Sequence, residues 1–178
     1  MRHDPGHAEA VAWHDDLIYG LHLRAPDPAH NDWRSEIVLD IDHIVEWVRG
    51  ADGRMRFRVA PASLVFHDTA DLRIGLDFGG SACRRSLNEL SIAAISKRPA
   101  EGGREAGPRP YFRWRIELNL PAGGELTFGA SGYSLTLRAA PVLLDEQRLP
   151  AFGRPHLLCE DRSTTKSDAP PPMDVQER

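Results

Sequence analysis

The sequence contains few cysteines, few lysines and no long apolar run. Its two cysteines, Cys83 and Cys159, stand far apart among 178 residues, which predicts free thiols in a reducing compartment and not a disulfide framework. No stretch approaches the ~18 apolar residues of a membrane span, and the first residues lack the apolar centre of a signal peptide. These absences predict a soluble, cytoplasmic protein. The formal net charge of −4 predicts that it binds neither nucleic acid nor an anionic membrane.

Motifs that carry catalysis are also missing. The glycine pairs at 79–80, 102–103 and 123–124 lack the lysine and the strand-to-helix setting of a phosphate loop. There is no G-x-S-x-G elbow, and neither cysteine has the spacing of a metal ligand. The sequence therefore predicts no cofactor, and it favours binding over catalysis.

The strongest pattern that is present lies in residues 36–47, EIVLDIDHIVEW. Apart from His43, the odd positions from Ile37 to Trp47 are apolar, whereas the even positions include Asp40 and Asp42. Alternation with a period of two is typical of a strand that packs one face inward and turns the other to water. We expect His43 to be a hydrogen-bonded imidazole in the core, and Asp40 and Asp42 to be solvated.

The same period recurs along the chain and predicts further strands. These cover residues 17–24, 54–60, 64–66, 71–78, 111–120, 125–130 and 133–137, and residues 86–98 are interpreted as a strand because their neighbours are strands. Asp52-Gly53 predicts a hairpin, and Pro61 is expected to end its strand. The residues 121–124 and Ser131-Gly132 are expected to join three strands into a meander, and residues 143–149 to wrap back onto the body.

Roughly eight strands of five to ten residues indicate the fold class. Such a series predicts an all-β domain, either an antiparallel sandwich or a flattened barrel, with little helix. We expect residues 1–12 to be a loose lead-in and residues 13–157 a single domain with a flexible insertion near 99–110. Residues 158–178 are expected to form a disordered polar tail.

Imidazole and carboxylate side chains at the ends of strands form a candidate metal site, namely His14, Asp16 and His67. Two imidazoles and one carboxylate can hold a divalent ion with a position left open for water. The alternative is that such acids are solvated, that His14 caps a turn, and that Trp13 covers the open end of the core.

Outward arginines form a candidate binding surface. If their strands are neighbours, they make a basic stripe beside Tyr111, and tyrosine and arginine are favoured in protein interfaces. The stripe would consist of Arg56, Arg58, Arg73, Arg113 and Arg115. The alternative is ordinary ion pairing across strands, each pair worth roughly 0.2–1 kcal/mol. The expected partner is another protein or a second copy of the chain, with Tyr111, Arg113, Arg115, Arg56 and Arg58 as the contact residues.

Several strings together resemble a group of small bacterial proteins without an assigned activity. The strings are WHDD-LIYGLHL, EIVLDIDHIVEW, FRVAPASLVFHD, YFRWRIEL and ELTFGASGYSLTLRAAPVLLDEQRL. Members of the group share a WHD start, a D-I-D-x-I-x-x-W strand, a W-x-I strand and a final Q-x-L. The resemblance covers residues 13–149 and carries over no site residue. It implies a small all-β protein, and all-β folds of this kind also occur among immunity proteins that neutralise toxins.

Three functions remain open from the sequence. The first is a non-catalytic binding protein that recognises a partner protein or itself. The second is a metal-dependent or small-ligand enzyme that uses His14, Asp16 and His67. The third is a toxin-neutralising immunity protein.

Overall fold

The computed structural model describes residues 13–79, 89–100 and 110–154. The expectations for residues 1–12, for most of the insertion near 99–110 and for the tail at 158–178 lie outside these residues, as does the start of the segment 86–98. Within the described residues no helix has the length and apolar character needed to cross a membrane.

The described residues form nine β-strands and two single-turn 3-10 helices, Pro28–His30 and Ala151–Gly153. The strands are β1 Leu17–Arg24, β2 Glu36–Arg49, β3 Met55–His67, β4 Ala70–Gly75, β5 Leu90–Pro99, β6 Phe112–Leu120, β7 Glu125–Ala130, β8 Gly132–Leu137 and β9 Val142–Leu144. The predicted all-β class is confirmed, and so is the strand interpretation of residues 90–98.

All of these strands belong to one antiparallel sheet. Its order is β4-β7-β6-β5-β1-β2-β3-β8, with β9 on the other part of β3, and it is not closed into a barrel. Strands far apart in this order pack face to face, because the Phe66 ring of β3 lies 5.2 Å from Trp114 of β6 and 4.7 Å from Phe128 of β7. The sheet therefore bends over itself, and its two halves share one apolar core.

The first half of β2 turns toward the core the face that its sequence alternation predicts. Ile37, Leu39 and Ile41 are buried in the shared core, and β2 pairs with β3 through the predicted Asp52-Gly53 hairpin, where Gly53 has a φ of +78°. The pattern changes at a register shift between Ile44 and Glu46. A bulge of this kind disturbs the alternation of side chains.

Two expectations for β2 are wrong. Trp47, predicted on the inner side, is 43% exposed, because it lies beyond the bulge. Asp42 and Asp40, predicted to be solvated, are completely buried. The segment that follows β9 covers this outer face, where Leu149 packs with Ile44 and Val59 in a second apolar cluster. Residues 143–149 thus do wrap back onto the body, and they bury the face that the alternation assigned to water.

Pro61 does not end a strand, which corrects a further expectation. The strand β3 continues through it, with Pro61 opposite Asp42 of β2. Its carbonyl accepts a hydrogen bond from the Arg138 amide on the side away from β2, and in a strand the N–H and C=O of one residue point to the same side. On that side β9 pairs with residues 57–59 and β8 with residues 62–67, so the missing N–H of Pro61 falls between two partner strands.

The predicted meander is wrong at its second turn. The strands β6 and β7 form a hairpin, but β8 leaves β7 and pairs with β3. Ser131 forms a corner at this point, where its amide donates to the His67 carbonyl and its hydroxyl lies 2.5 Å from the Asp68 carboxylate. Asp68 sits at the matching corner between β3 and β4, with a φ of +53°. These two corners allow neighbouring strands to pass together from one half of the sheet to the other.

We predict that Gly129→Ala destabilises the protein by about 1–3 kcal/mol, the usual cost of overpacking. A Cβ at Gly129 would lie 2.7 Å from the Tyr111 ring, closer than real Cβ contacts allow. Urea unfolding measures the free energy. The matched control is Gly132→Ala, since a Cβ there meets no atom within 4 Å, and it should change stability by no more than about 0.5 kcal/mol. Equal effects of the two substitutions would contradict this packing of Tyr111.

Candidate functional site

A basic groove of about 540 Å³ runs over the half of the sheet made by β4, β7, β6 and β5. We use the name basic groove for the space lined by Arg73, Ser96, Lys97, Arg98, Arg113, Trp114, Arg115 and Thr127. Five of these eight residues are cationic and none is acidic, although the whole chain has a formal net charge of −4. The four arginines therefore concentrate positive charge on one face of an acidic protein, whereas Lys97, the strand partner of Trp114, lies on the core-facing side of β5.

The strand register explains why these side chains meet. Arg98 of β5 is the direct partner of Arg113 of β6, and Arg115 of β6 is the partner of Thr127 of β7. Arg73 of β4 is also a partner of Thr127. Direct partners in an antiparallel sheet project to the same face. The arginines of β4, β5 and β6 therefore lie next to one another on one face of the sheet.

The cations of the groove differ in how fully carboxylates neutralise them. Arg115 has acidic neighbours at 2.8 Å, Glu125, and at 2.9 Å, Glu117. Among the described residues Arg113 has one acidic neighbour, Asp71, at 3.9 Å, and no carboxylate lies within ion-pairing distance of Arg73. Arg73 and Arg113 are therefore the arginines best able to accept an external carboxylate.

Tyr111 is held in a fixed position beside the strand pair that carries Arg113. Its hydroxyl donates to the Asp68 carbonyl at 3.0 Å, and its ring lies directly over Gly129, the partner of Arg113. Burial, aided by the charges of Asp71 and Asp68, raises the pKa of Tyr111 above its ordinary value. The phenol thus remains a protonated donor at neutral pH, and its ring is already ordered.

The predicted binding residues fall into two places. Tyr111, Arg113 and Arg115 lie together and are joined by Arg73. Arg56 and Arg58 lie elsewhere, because β5, β1 and β2 separate β6 from β3 in the sheet order. Arg56 is 3.2 Å from Asp145 and 3.3 Å from Asp52, and Arg58 is 2.9 Å from Glu46. This pair therefore has the ordinary ion-pairing arrangement that was the alternative interpretation.

The three candidate metal ligands do not meet. The Asp16 carboxylate accepts from the Ile44 amide, whereas the His67 ring contacts Glu36 at 3.1 Å. Ile44 and Glu36 are eight positions apart on β2, about 26 Å at the rise of a strand. His14 is largely exposed and contacts Asp15 at 3.1 Å. Within the described residues no group of three potential ligands could hold a metal ion.

Asp16 has a different partner, the predicted core imidazole. His43 is buried, and its Nδ1 lies 2.7 Å from the second carboxylate oxygen of Asp16. Burial raises the pKa of Asp16, and the His43 contact opposes that shift. Trp13 packs against this imidazole with ring centroids 5.6 Å apart and belongs to the main core. The expectations of a hydrogen-bonded core histidine and of a covering tryptophan are confirmed.

A buried charge cluster was missed by the sequence interpretation. It consists of Tyr19, Asp40, Asp42, Arg138 and Arg154 on the outer face of β1 and β2. The Arg154 guanidinium donates to Asp42 at 2.6 Å and lies 4.9 Å from the centre of the Tyr19 ring, while Arg138 lies 3.2 Å from Asp40 and donates to the Tyr19 hydroxyl. The signal available in the sequence was the presence of acids and apolar residues on one strand face, followed by arginines in the segment that wraps back.

The cluster is incompletely hydrogen-bonded. One carboxylate oxygen each of Asp40 and Asp42 has no hydrogen-bond partner, nor do the Ser63 hydroxyl and the Arg138 Nε and Nη1. Burial raises the pKa of Tyr19 to about 12, with opposing contributions from Arg138 and Asp40. The tyrosine is thus neutral at physiological pH, and the charges are carried by the arginines and carboxylates. Their arrangement fastens the segment 138–154 to the sheet.

We predict that Arg154→Ala destabilises the protein by about 3 kcal/mol, because it leaves the buried Asp42 carboxylate without its cationic partner. Arg148→Ala is the matched control. Arg148 is 59% exposed and pairs with the exposed Glu146 at 3.2 Å and with Glu89 at 4.0 Å, so its loss should change stability by no more than about 0.5 kcal/mol. Urea unfolding of both variants measures the difference. Adding Asp42→Asn to Arg154→Ala should recover part of the loss, and failure of this rescue would contradict the pairing.

We also predict a pH dependence that is specific to Asp42. Burial raises its pKa in the folded protein above the ordinary value of 3.8, although Arg154 opposes the shift. The folded state therefore holds this proton more tightly than the unfolded state does. The stability of the wild type relative to Asp42→Asn should fall as pH rises from 3.8 to the folded pKa, and then level off. Urea unfolding of both proteins across this range tests the sign, and a relative stability that increases with pH would contradict it.

A comparison of the chain with protein-family models, with curated proteins and with solved structures found no match. The resemblance to small bacterial proteins with a WHD start accordingly stays a prediction, and the site rests on its own geometry.

Proposed function

We propose that this protein is a binding protein whose basic groove holds an acidic segment of a partner protein. The observation that carries the proposal is the convergence of four arginines on one face of the sheet, without a carboxylate in the lining, on a protein of negative net charge. The following steps support an acidic polypeptide as the ligand.

Arginine chemistry supports a carboxylate ligand. The planar guanidinium presents paired N–H donors that match the two oxygens of a carboxylate, which a lysine ammonium does not do. Arg73 and Arg113 offer these donors with little competition, because the nearest acid to Arg113 is at 3.9 Å. The ion pairs of Arg115 fix the position of its side chain in the lining of the groove.

The rigidity of the groove supports affinity. Its floor is the paired backbone of β5, β6 and β7, and Tyr111 is held by a hydrogen bond and by its contact with Gly129. A partner that binds here orders few side chains of this protein, which lowers the entropic cost of association. Tyrosine and arginine are also enriched among the residues that contribute most to binding at interfaces.

The overall charge favours a short acidic segment over nucleic acid. A polyanion of many phosphates experiences the net negative charge of the whole protein, and its binding requires a basic field over a long stretch of backbone. A few carboxylates contact only the groove. A second copy of this acidic chain is one source of such carboxylates, and a toxin is another.

The test uses fluorescein-labelled hexaglutamate and fluorescence anisotropy. We expect saturable binding that weakens on going from about 50 mM to about 300 mM salt, and a loss of at least about tenfold in affinity in the double variant Arg73→Ala/Arg113→Ala. The matched control is Arg56→Ala/Arg58→Ala, which removes the same charge from another face and should stay within about twofold of the wild type.

Two results would contradict the proposal. Equal weakening by both double variants would mean that bulk charge, and not the basic groove, holds the peptide. Tighter binding of a single-stranded DNA oligonucleotide than of hexaglutamate would assign the groove to nucleic acid. Sedimentation equilibrium of the wild type and of Arg73→Ala/Arg113→Ala identifies the case in which the acidic segment belongs to a second copy.

A further inference from the structure

A second cavity, of about 250 Å³, lies between the two halves of the sheet. We call it the aromatic cavity, and it is lined by Trp13, Phe66, Ile95, Ser96, Lys97, Trp114 and Tyr133. Its volume equals that of roughly eight water molecules in the liquid. Protein interiors are close-packed and contain few voids larger than a single water, so this opening beside the core is large enough to admit a small molecule.

The cavity lies where β5 continues past the start of β1. Leu17 and Ile18 of β1 pair with Ser91 and Leu90 of β5, and backbone hydrogen bonds of Asp15 and Asp16 with Ile92 extend this contact by a few residues. The β5 residues that line the cavity, Ile95 to Lys97, lie beyond this short pairing. The sheet therefore opens along β5, and the open region leads to the aromatic residues of the core.

The walls of the aromatic cavity are rigid and apolar. Tyr133 packs edge-to-face against Trp13 at 5.8 Å and against Trp114 at 5.6 Å, and Trp114 packs in the same way against Phe66 at 5.2 Å. Rings locked in this manner present flat faces and edges that suit an aromatic or branched apolar group. Trp13 and Trp114 are almost fully buried.

The polar groups of the lining are all able to donate. The Lys97 ammonium lies 4.7 Å from the centre of the Phe112 ring and 5.3 Å from that of Trp114, and no carboxylate pairs with it in the described part of the chain. The Tyr133 hydroxyl and the Trp13 indole N–H likewise have no hydrogen-bond partner among the described residues. Burial raises the pKa of Tyr133, which keeps its hydroxyl protonated. The lining contains no acidic residue.

We infer that the aromatic cavity is a binding site for a small carboxylic acid, with its apolar or aromatic body between the rings and its carboxylate at Lys97. The apolar body gains by leaving water. The carboxylate gains a cation that is held by rings and has no carboxylate to give up. The site goes beyond the proposed recognition of a partner protein, because its rings and its small volume take a single molecule and not a chain segment.

The experiment titrates phenylacetate and phenylacetamide into the ¹⁵N-labelled protein and follows the indole N–H signals by NMR. The four tryptophans are assigned by single substitution to phenylalanine. We expect saturable shifts of the Trp13 and Trp114 signals, whereas Trp33 and Trp47, which are 68% and 43% exposed and line neither cavity, should not move. Phenylacetate should bind at least about fivefold more tightly than phenylacetamide, since only the acid pairs with Lys97.

Two variants locate the site. Lys97→Gln, at an exposed position, should bring the acid-to-amide ratio close to one without affecting folding. Ile95→Trp should fill the cavity and abolish binding of both compounds, with thermal unfolding confirming that the variant folds. Arg56→Ala/Arg58→Ala should bind phenylacetate as the wild type does, which excludes a general effect of charge. The two linings share Ser96, Lys97 and Trp114, so the sites are separated by residues that line only one of them. Arg73→Ala/Arg113→Ala should weaken hexaglutamate but bind phenylacetate as the wild type does, and Ile95→Trp should do the reverse.

Three results would overturn the inference. The first is an absence of saturable shifts at about 10 mM phenylacetate, a concentration above which binding is too weak to be specific. The second is a shift of Trp33 or Trp47 as large as that of Trp13. The third is an unchanged preference for the acid in Lys97→Gln.

Discussion

The pairing of the buried Asp42 carboxylate with Arg154 and with the Leu149 amide is the interaction on which the rest of the structure depends. It holds the segment after β9 against the outer face of β2, so that Leu149 covers Ile44 and Val59. Residues 36–44 of β2 are buried on both faces. Because β2 lies between β1 and β3, it connects the half of the sheet that holds the basic groove with the half formed by β3 and β8. Loss of the Asp42 pairing would expose the part of the outer face around Ile44.

The sequence predicts which residues share a strand face, but not whether that face is covered. Alternation placed Ile37, Leu39 and Ile41 inward correctly, since period two follows from strand geometry alone. It assigned Asp40 and Asp42 to water because an acid is usually solvated, whereas arginines about a hundred residues later cover them. The predictions for Pro61 and Ser131 were wrong for a related reason. A proline, which lacks an N–H, is tolerated in a strand where the neighbouring strand is interrupted. A serine before a glycine can form a corner as well as a hairpin turn, and the partner strand determines which of the two forms.

The sequence likewise predicts part of the candidate site, namely the residues that share a strand face, but not which strands are neighbours. Outward arginines at alternate positions on β6 were evident, and so was Tyr111 beside them. That Arg73 joins them while Arg56 and Arg58 do not depends on strand order, which the two corners at Asp68 and Ser131 determine. The aromatic cavity had no signal in the sequence, because it lies where β5 continues past the start of β1, and the overlap between two paired strands is a property of the whole sheet. The expected cluster of His14, Asp16 and His67 does not form for the same reason. A position near the end of a strand in the sequence does not reveal at which end of the sheet that residue lies.

The separation of Asp42 from its partners along the chain has a consequence for biosynthesis. The Leu149 amide and the Arg154 guanidinium follow Asp42 by 107 and 112 residues. During translation β2 is made before the segment that carries these partners, so Asp40 and Asp42 lack their arginine counter-ions until Arg138 and Arg154 have been made. These two charged carboxylates keep an otherwise apolar segment hydrated and so reduce its tendency to aggregate during this interval. Contacts between residues so far apart in the sequence form slowly. The domain therefore reaches its final fold only after Arg154 has been synthesised. The aspartates that keep the unfinished chain hydrated then bind the arginines in the folded protein.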